Sequence, residues 1–254
     1  MTILDAAILG VVEGLTEFLP ISSTGHLIMV SKILGIEQSE SQKSFEVIIQ
    51  LGAILAVLTV YLKKILSDLD LMKKLAIAFL PTGILGFLLY KHVKALFVPS
   101  TVAYMLIIGG ILFILLEKFY RPKEHHITET SNMTIKQALL IGFAQSFAMV
   151  PGTSRSGATI IGGLLCGLNR KLAVEFSFLL ALPTMLVATA YDVYKNHSTM
   201  VVDDVNAILV GFGCAFVVAL FAVKTFLKLV SRFSFTPFGI YRIIIGILFL
   251  YYFA

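Results

Sequence analysis

Charge is scarce in this chain of 254 residues: only 14% are Asp, Glu, Lys or Arg, 58% are hydrophobic, and the mean hydropathy is +0.93. Soluble domains carry about 25% charge and about 45–50% apolar residues, so a water-soluble globule is excluded and the chain is expected in a membrane. Cysteine is scarce too. Cys166 and Cys214 both fall in apolar runs and read as small core residues rather than a disulfide or metal pair. Basic residues are missing altogether before Lys32, and Asp5, Glu13 and Glu17 stand where an export signal would have its apolar core. The N-terminal segment is therefore expected to be mature protein rather than a leader. The 20 Lys and Arg exceed the 15 Asp and Glu by a net +5, but they form no stripe interleaved with stacking aromatics, so nucleic acid is not expected as a partner.

What is present is length of apolar run. Stretches approaching the ~20 residues of a bilayer crossing occur at about 45–62, 75–90, 101–116, 172–191, 205–223 and 237–253, which makes six spanning candidates. Two further stretches, about 1–33 and 135–168, are apolar but interrupted by LPISSTGH at 19–26 and VPGTSRSG at 150–157. Irregular backbone at membrane depth persists only where it is buried in protein or lines a wet cavity, so both are expected to be re-entrant helix–loop–helix hairpins. The bases orient the layout. With the 63–74 connection in the cytoplasm, alternation places Lys63, Lys64, Lys73, Lys74, Lys118, Arg121, Lys123, Lys136, Arg170, Lys171, Lys224, Lys228 and Arg232 inside. Only Lys32, Lys43, Lys91, Lys94 and Lys195 fall outside, in keeping with the positive-inside rule. The 192–204 loop, with Asp192, Asp203 and Asp204, then faces outward with the C-terminus, and Arg155 and Arg242 are left within the membrane.

The halves resemble each other. GVVEG at 10–14 followed by PISSTGH at 20–26 returns, one residue shorter, as GFAQS at 142–146 followed by PGTSRSG at 151–157; GILF at 110–113 returns at 246–249. A hairpin plus three spans crosses an odd number of times, so the second copy is inverted relative to the first, with a site where the two broken segments meet near the midplane. The expected fold is thus an all-α integral membrane protein of six transmembrane helices and two re-entrant hairpins in an inverted-topology repeat. It forms one polytopic domain over 1–254, with repeat one at about 1–120, repeat two at about 134–254 and a polar linker at about 121–133.

A few embedded polar residues carry chemistry. Glu13 and Glu17 stand one helical turn apart, which places both carboxylates on one face. Buried together they repel, so a shared proton, a divalent cation or a nearby base must compensate them, unless the helix end simply faces water or bonds to a neighbouring helix. His26 is the one histidine in an embedded element, since His92, His125, His126 and His197 fall in predicted loops. A lone histidine is more often a packing residue. Here Ser22 and Ser23 precede it by four and three residues, with Thr24 and a turn-permitting Gly25 between, an arrangement that suits a nucleophile beside a base. Arg155 is framed by Gly152, Thr153, Ser154, Ser156 and Gly157. Backbone N–H groups, hydroxyls and a guanidinium fork can converge there on one anion, and phosphate suits the array better than a carboxylate. The plainer reading is an arginine paired to Glu13 or Glu17 for folding alone. Glu46, Glu175, Arg242 and Gln50 read as structural, with Arg242 snorkelling or paired to a carboxylate.

The strings EGLTEFLPISSTGH at 13–26 and PGTSRSG at 151–157 resemble the two signatures of the undecaprenyl-diphosphate phosphatase family, also called the bacitracin-resistance protein family. The resemblance implies a multi-pass enzyme of the bacterial inner membrane, opening to the periplasmic side. It implies hydrolysis of undecaprenyl diphosphate to undecaprenyl phosphate and inorganic phosphate, which recycles the lipid carrier for peptidoglycan synthesis, and resistance to bacitracin. A divalent cation, Mg2+ or Ca2+, is implied as cofactor. Carried onto this chain, the acidic motif falls on Glu13 and Glu17 as metal ligands and the Ser/His motif on Ser22, Ser23 and His26. The phosphate-binding motif falls on Ser154, Arg155 and Ser156, and Glu17, Ser23, His26 and Arg155 are the expected catalytic set. Attack by Ser23, by His26 or by water is left open, as is a homodimer. The rival class is a secondary transporter or flippase for an anionic lipid or small anion, for which paired re-entrant hairpins are also a plan.

Overall fold

A computed structural model describes residues 1–37, 39–120, 126–196, 204–230 and 232–253. Among them the protein is all α-helical: α1 (Ile3–Thr16), α2 (Ser23–Ile33), α3 (Glu40–Ser67), α4 (Leu69–Ala95), α5 (Pro99–Phe119), α6 (Ile135–Ser146), α7 (Arg155–Leu165), α8 (Arg170–Asn196), α9 (Val205–Leu229) and α10 (Thr236–Phe253), with short 3-10 turns at Thr130–Asn132 and Phe147–Met149. The chain breaks where the polar strings fall, between α1 and α2 and between α6 and α7. Five helices contain runs long and apolar enough to cross a membrane: Ser41–Ser67, Leu69–Tyr90, Pro99–Phe119, Arg170–Tyr191 and Val205–Leu229. α10 is apolar but shorter; at about 1.5 Å per residue its 18 residues cover roughly 27 Å, close to the ~30 Å hydrocarbon core.

The two broken helix pairs are built alike from local sequence. α1 opens with a capping box between Thr2 and Asp5, and α6 opens with one between Thr134 and Gln137. α2 and α7 each close on a left-handed glycine, Gly35 at φ +71° and Gly167 at φ +87°. In both, the N–H beyond that glycine returns to the carbonyl five residues earlier: Ile36 to Ser31 at 2.8 Å and Leu168 to Gly163 at 3.0 Å. The pairs then embed crosswise. α1 packs along α9, its counterpart α6 along α4, and α5 lies against α10. Gly10 and Gly14 make the first contact close, since a Cβ on either would meet α9 backbone within 3 Å.

α8 is the most enclosed of the long helices, with Phe176, Phe178, Leu179 and Leu180 in the core beside Phe18, Phe113 and Phe235. Outward faces such as Phe87 and Leu88 of α4 or Ile244 and Ile247 of α10 are exposed, as lipid-facing side chains should be. The described part of the linker is tied down: Ile127 bonds the backbone of Gly167 and Asn169, and the Thr130 carbonyl accepts from Lys74 at 2.7 Å. One expectation changes. His92 belongs to the last turn of α4 rather than to a loop. Arg121, Lys123, His125, His197 and Asp203 lie outside the described residues. Cys166 and Cys214 are free thiols, each half-buried rather than in the core.

Candidate active site

α1 runs out at Thr16, and Glu17 keeps helical dihedrals as its C-cap, so Glu13 and Glu17 do share one face. Both are buried, Glu13 with no exposure at all. Phe18 to Ser22 then reverse direction. The reversal ends at Ser22, which sits at φ +71° and ψ 92°. A non-glycine residue there costs roughly 1–3 kcal/mol and persists only where its surroundings enforce it. Its effect is to start α2 at Ser23 pointing back at α1, so that Ser23 Oγ donates to Glu17 Oε2 at 2.5 Å.

The second break repeats the device. Ser154 adopts φ +73° and caps α7 by accepting from the Gly157 N–H at 3.1 Å. Arg155, the first residue of α7, is thereby aimed across the molecule. Its Nη2 donates to Glu17 Oε1 at 3.0 Å, its Nη1 to the Ser177 carbonyl of α8 at 2.7 Å, and its guanidinium lies 5.6 Å from the Phe18 ring. Glu17 thus holds the hydroxyl on one oxygen and the guanidinium on the other. The two breaks also interlock directly: Ser156 Oγ donates to the Leu19 carbonyl at 2.9 Å and shares a 3.1 Å contact with Ser154 Oγ. The hydroxyls of Ser154 and Ser156 are therefore engaged in building the loops. Gly152, at φ +92°, passes so close to α5 that a Cβ would lie 2.4 Å from the Val102 carbonyl oxygen. Thr24 is half-buried beside Ser23, while Ser22 and Gly157 are buried.

His26 does not meet Ser23. Its Nδ1 lies 2.8 Å from the Ser22 carbonyl, which can only accept, so that nitrogen carries the proton. Its Nε2 lies 2.8 Å from the hydroxyl of Tyr241 on α10, which donates when the imidazole is neutral. Tyr241 is half-exposed and lines an open groove with Ile240 and Ile244. The next residue, Arg242, neither snorkels nor pairs with a carboxylate among the described residues. It is fully buried and donates to four backbone carbonyls: Pro20 at 3.0 Å, Gly152 at 3.0 Å, Met105 at 3.0 Å and Leu106 at 3.3 Å.

Among the described residues, the buried side-chain polar atoms without a partner include both oxygens of Glu13, Thr153 Oγ1 and Arg155 Nε. An unmet buried donor or acceptor costs about 1–3 kcal/mol. The two unmet acceptors suit a cation or a proton shared with Glu17, and the two unmet donors in the adjacent loop suit an anion. No three Asp, Glu, His or Cys side chains gather into a chelating group among the described residues. A pair of carboxylates that shares its ion with substrate phosphate oxygens is nevertheless the usual Mg2+ arrangement, so Glu13 and Glu17 fit such an ion.

Two residues of this centre escape the sequence. Ser177 and Tyr241 carry no motif and enter by a backbone carbonyl and by a hydroxyl held at His26 Nε2. Arg242 carries a signal, an arginine inside an apolar run, but its partners are backbone carbonyls rather than a carboxylate or the membrane surface.

A family model described as bacitracin resistance protein BacA matches residues 6–248 of the chain. An undecaprenyl-diphosphatase of Wolinella succinogenes is 62% identical over 252 residues, covering 99% of this chain and 98% of the relative. One from a Sulfurihydrogenibium species is 61% identical over 249 residues, with 98% of each chain covered. One from Methanococcus aeolicus is 49% identical over 254 residues and the full length of both.

Proposed function

This chain belongs to the bacitracin resistance protein BacA family, and from that premise we propose how its embedded polar centre carries out the reaction. The protein is an undecaprenyl-diphosphatase, a membrane phosphatase that hydrolyses undecaprenyl diphosphate to undecaprenyl phosphate and inorganic phosphate. The observation that carries the mechanism is the Ser23–Glu17–Arg155 chain, a hydroxyl and a guanidinium held on the two oxygens of one buried carboxylate.

Ser23 Oγ attacks the terminal phosphorus of the diphosphate. Its proton passes to Glu17 Oε2 as the bond from phosphorus to the bridging oxygen breaks, and undecaprenyl phosphate leaves with that electron pair. The Arg155 Nε–H and the Thr153 hydroxyl, which lack partners at rest, donate to the oxygens of the transferring phosphoryl group as its charge develops. Glu17 loses its proton to the leaving phosphate or to water. As a carboxylate again, it takes a proton from the water that attacks the phosphoserine, and returns it to Ser23 as inorganic phosphate departs. Glu13 and Glu17 are the residues that would hold a divalent cation, whose contribution is to screen the diphosphate charge. His26, turned toward Tyr241, orients α2 and takes no proton from Ser23.

The two halves act as an inverted repeat spanning the bacterial inner membrane six times, with the centre open to the periplasm. Supporting this are the paired capping boxes and terminal glycines, and the reciprocal packing of α1 on α9 and α6 on α4. The distribution of Lys and Arg supports the orientation. The test is phosphate release from undecaprenyl diphosphate by the purified protein, with and without chelator. Release that chelator and Ser23→Ala each abolish is expected; exchange of an anionic lipid across vesicles with its phosphate bonds intact would favour a transporter.

A further inference from the structure

Arg242 has a larger part than a buried structural arginine. Its guanidinium holds the Pro20 carbonyl of the first break and the Gly152 carbonyl of the second, while Met105 and Leu106 anchor it to α5. Pro20 lies two residues before the strained Ser22, and Gly152 two residues before the strained Ser154. One side chain therefore pins both turns that aim Ser23 and Arg155 at Glu17. Its charge is also distinctive. Arg155 is neutralised by Glu17, whereas Arg242 has no carboxylate partner among the described residues and no exposure to water. The carbonyl dipoles solvate the charge without cancelling it, and burial keeps solvent and salt from screening it.

We propose that Arg242 is the positioning residue of the phosphatase centre and the uncancelled positive charge that draws the diphosphate group between the two loops. It acts through the loops and through its field, since its N–H groups are already engaged. In the resting centre the Arg155–Glu17 pair contributes no net charge and the buried Glu13 adds nothing that attracts an anion, so the attraction falls to Arg242 and to the first turns of α2 and α7. The proposal rests on the phosphatase reading, and its test is arranged to fail separately from it.

Three variants divide the two parts of the role. Arg242→Lys keeps the charge, but one nitrogen cannot span carbonyls of both loops. Its kcat on undecaprenyl diphosphate should fall more than about tenfold, while KM and the inhibition constant of inorganic phosphate stay within about threefold of wild type. Arg242→Gln also removes the charge, and both constants should rise at least about tenfold further. Gly109→Ala leaves Arg242 in place but puts a Cβ 2.2 Å from its Nη2, so displacement of the guanidinium should reproduce the kcat loss of the lysine variant. Gel filtration and helical circular dichroism identify folded variants, and Gly109→Ala decides the positioning role if neither Arg242 variant folds. A glutamine variant with wild-type KM and phosphate inhibition overturns the charge role. A folded lysine or Gly109→Ala variant with wild-type kcat overturns the positioning role. Absence of phosphate release by the wild type would instead remove the phosphatase reading.

Discussion

Glu17 is the residue on which the centre turns, because its two oxygens serve two different partners. Removing one partner of a buried ion pair leaves a charge stranded, at a cost of about 3–5 kcal/mol. Arg155→Lys keeps the charge but not the fork, so it should retain much of the fold while kcat falls by about 10²–10³, the size of one lost transition-state donor. Phosphate-release kinetics on gel-filtered protein check this, and a near-normal kcat would take Arg155 out of the transition state. Neither oxygen of Glu13 meets a donor among the described residues, so Glu13→Gln should leave the melting temperature equal or higher while weakening Mn2+ binding, read by electron paramagnetic resonance. Unchanged Mn2+ affinity would argue that the orphaned oxygens serve something other than a cation. That Glu17, Ser23 and Arg155 come together was legible in the sequence, since charge and hydroxyls inside apolar runs have few structural uses. Which hydroxyl faces which base was not. That is decided by one dihedral at Ser22, and it gives Ser23 to Glu17 while His26, on the same helix, goes to Tyr241.

The elements of the site are two interrupted helices whose second halves begin at left-handed serines. Ser22 makes no side-chain cap bond, so Ser22→Gly relieves the dihedral without losing a hydrogen bond. Thermal unfolding should report a gain of about 1 kcal/mol or more, together with a lower kcat as the aim of Ser23 loosens; no gain would mean that the turn stores no strain. Gly152→Ala does the opposite. It adds a Cβ against the Val102 carbonyl at a positive φ, and should destabilise the protein by at least about 2 kcal/mol, visible as a lower melting temperature in detergent. The breaks themselves were legible, because Gly, Pro and hydroxyl residues within apolar runs forbid a continuous helix. The matched geometry of Ser22 and Ser154 was not, because neither is a glycine, the usual sequence mark of such a turn.

At the scale of the molecule, six apolar runs and two interrupted ones were visible from composition and period. The reciprocal packing of α1 on α9 and α6 on α4 depends on glycine faces that hydropathy does not register. The inside and outside faces should be separable by labelling. After Cys166 and Cys214 are replaced by Ala, a single cysteine at Asp5 should react with a membrane-impermeant maleimide in intact cells, and one at Lys171 only in everted vesicles. The reverse pattern would invert the proposed orientation. The central claim is that phosphoryl transfer passes through Ser23 activated by Glu17, and stereochemistry at phosphorus tests it most directly. Hydrolysis of an undecaprenyl diphosphate analogue whose terminal thiophosphoryl group is chiral by oxygen isotopes, in water carrying the third isotope, should yield inorganic thiophosphate with overall retention, the product of two in-line displacements. Inversion would mean that water attacks directly and would contradict the account.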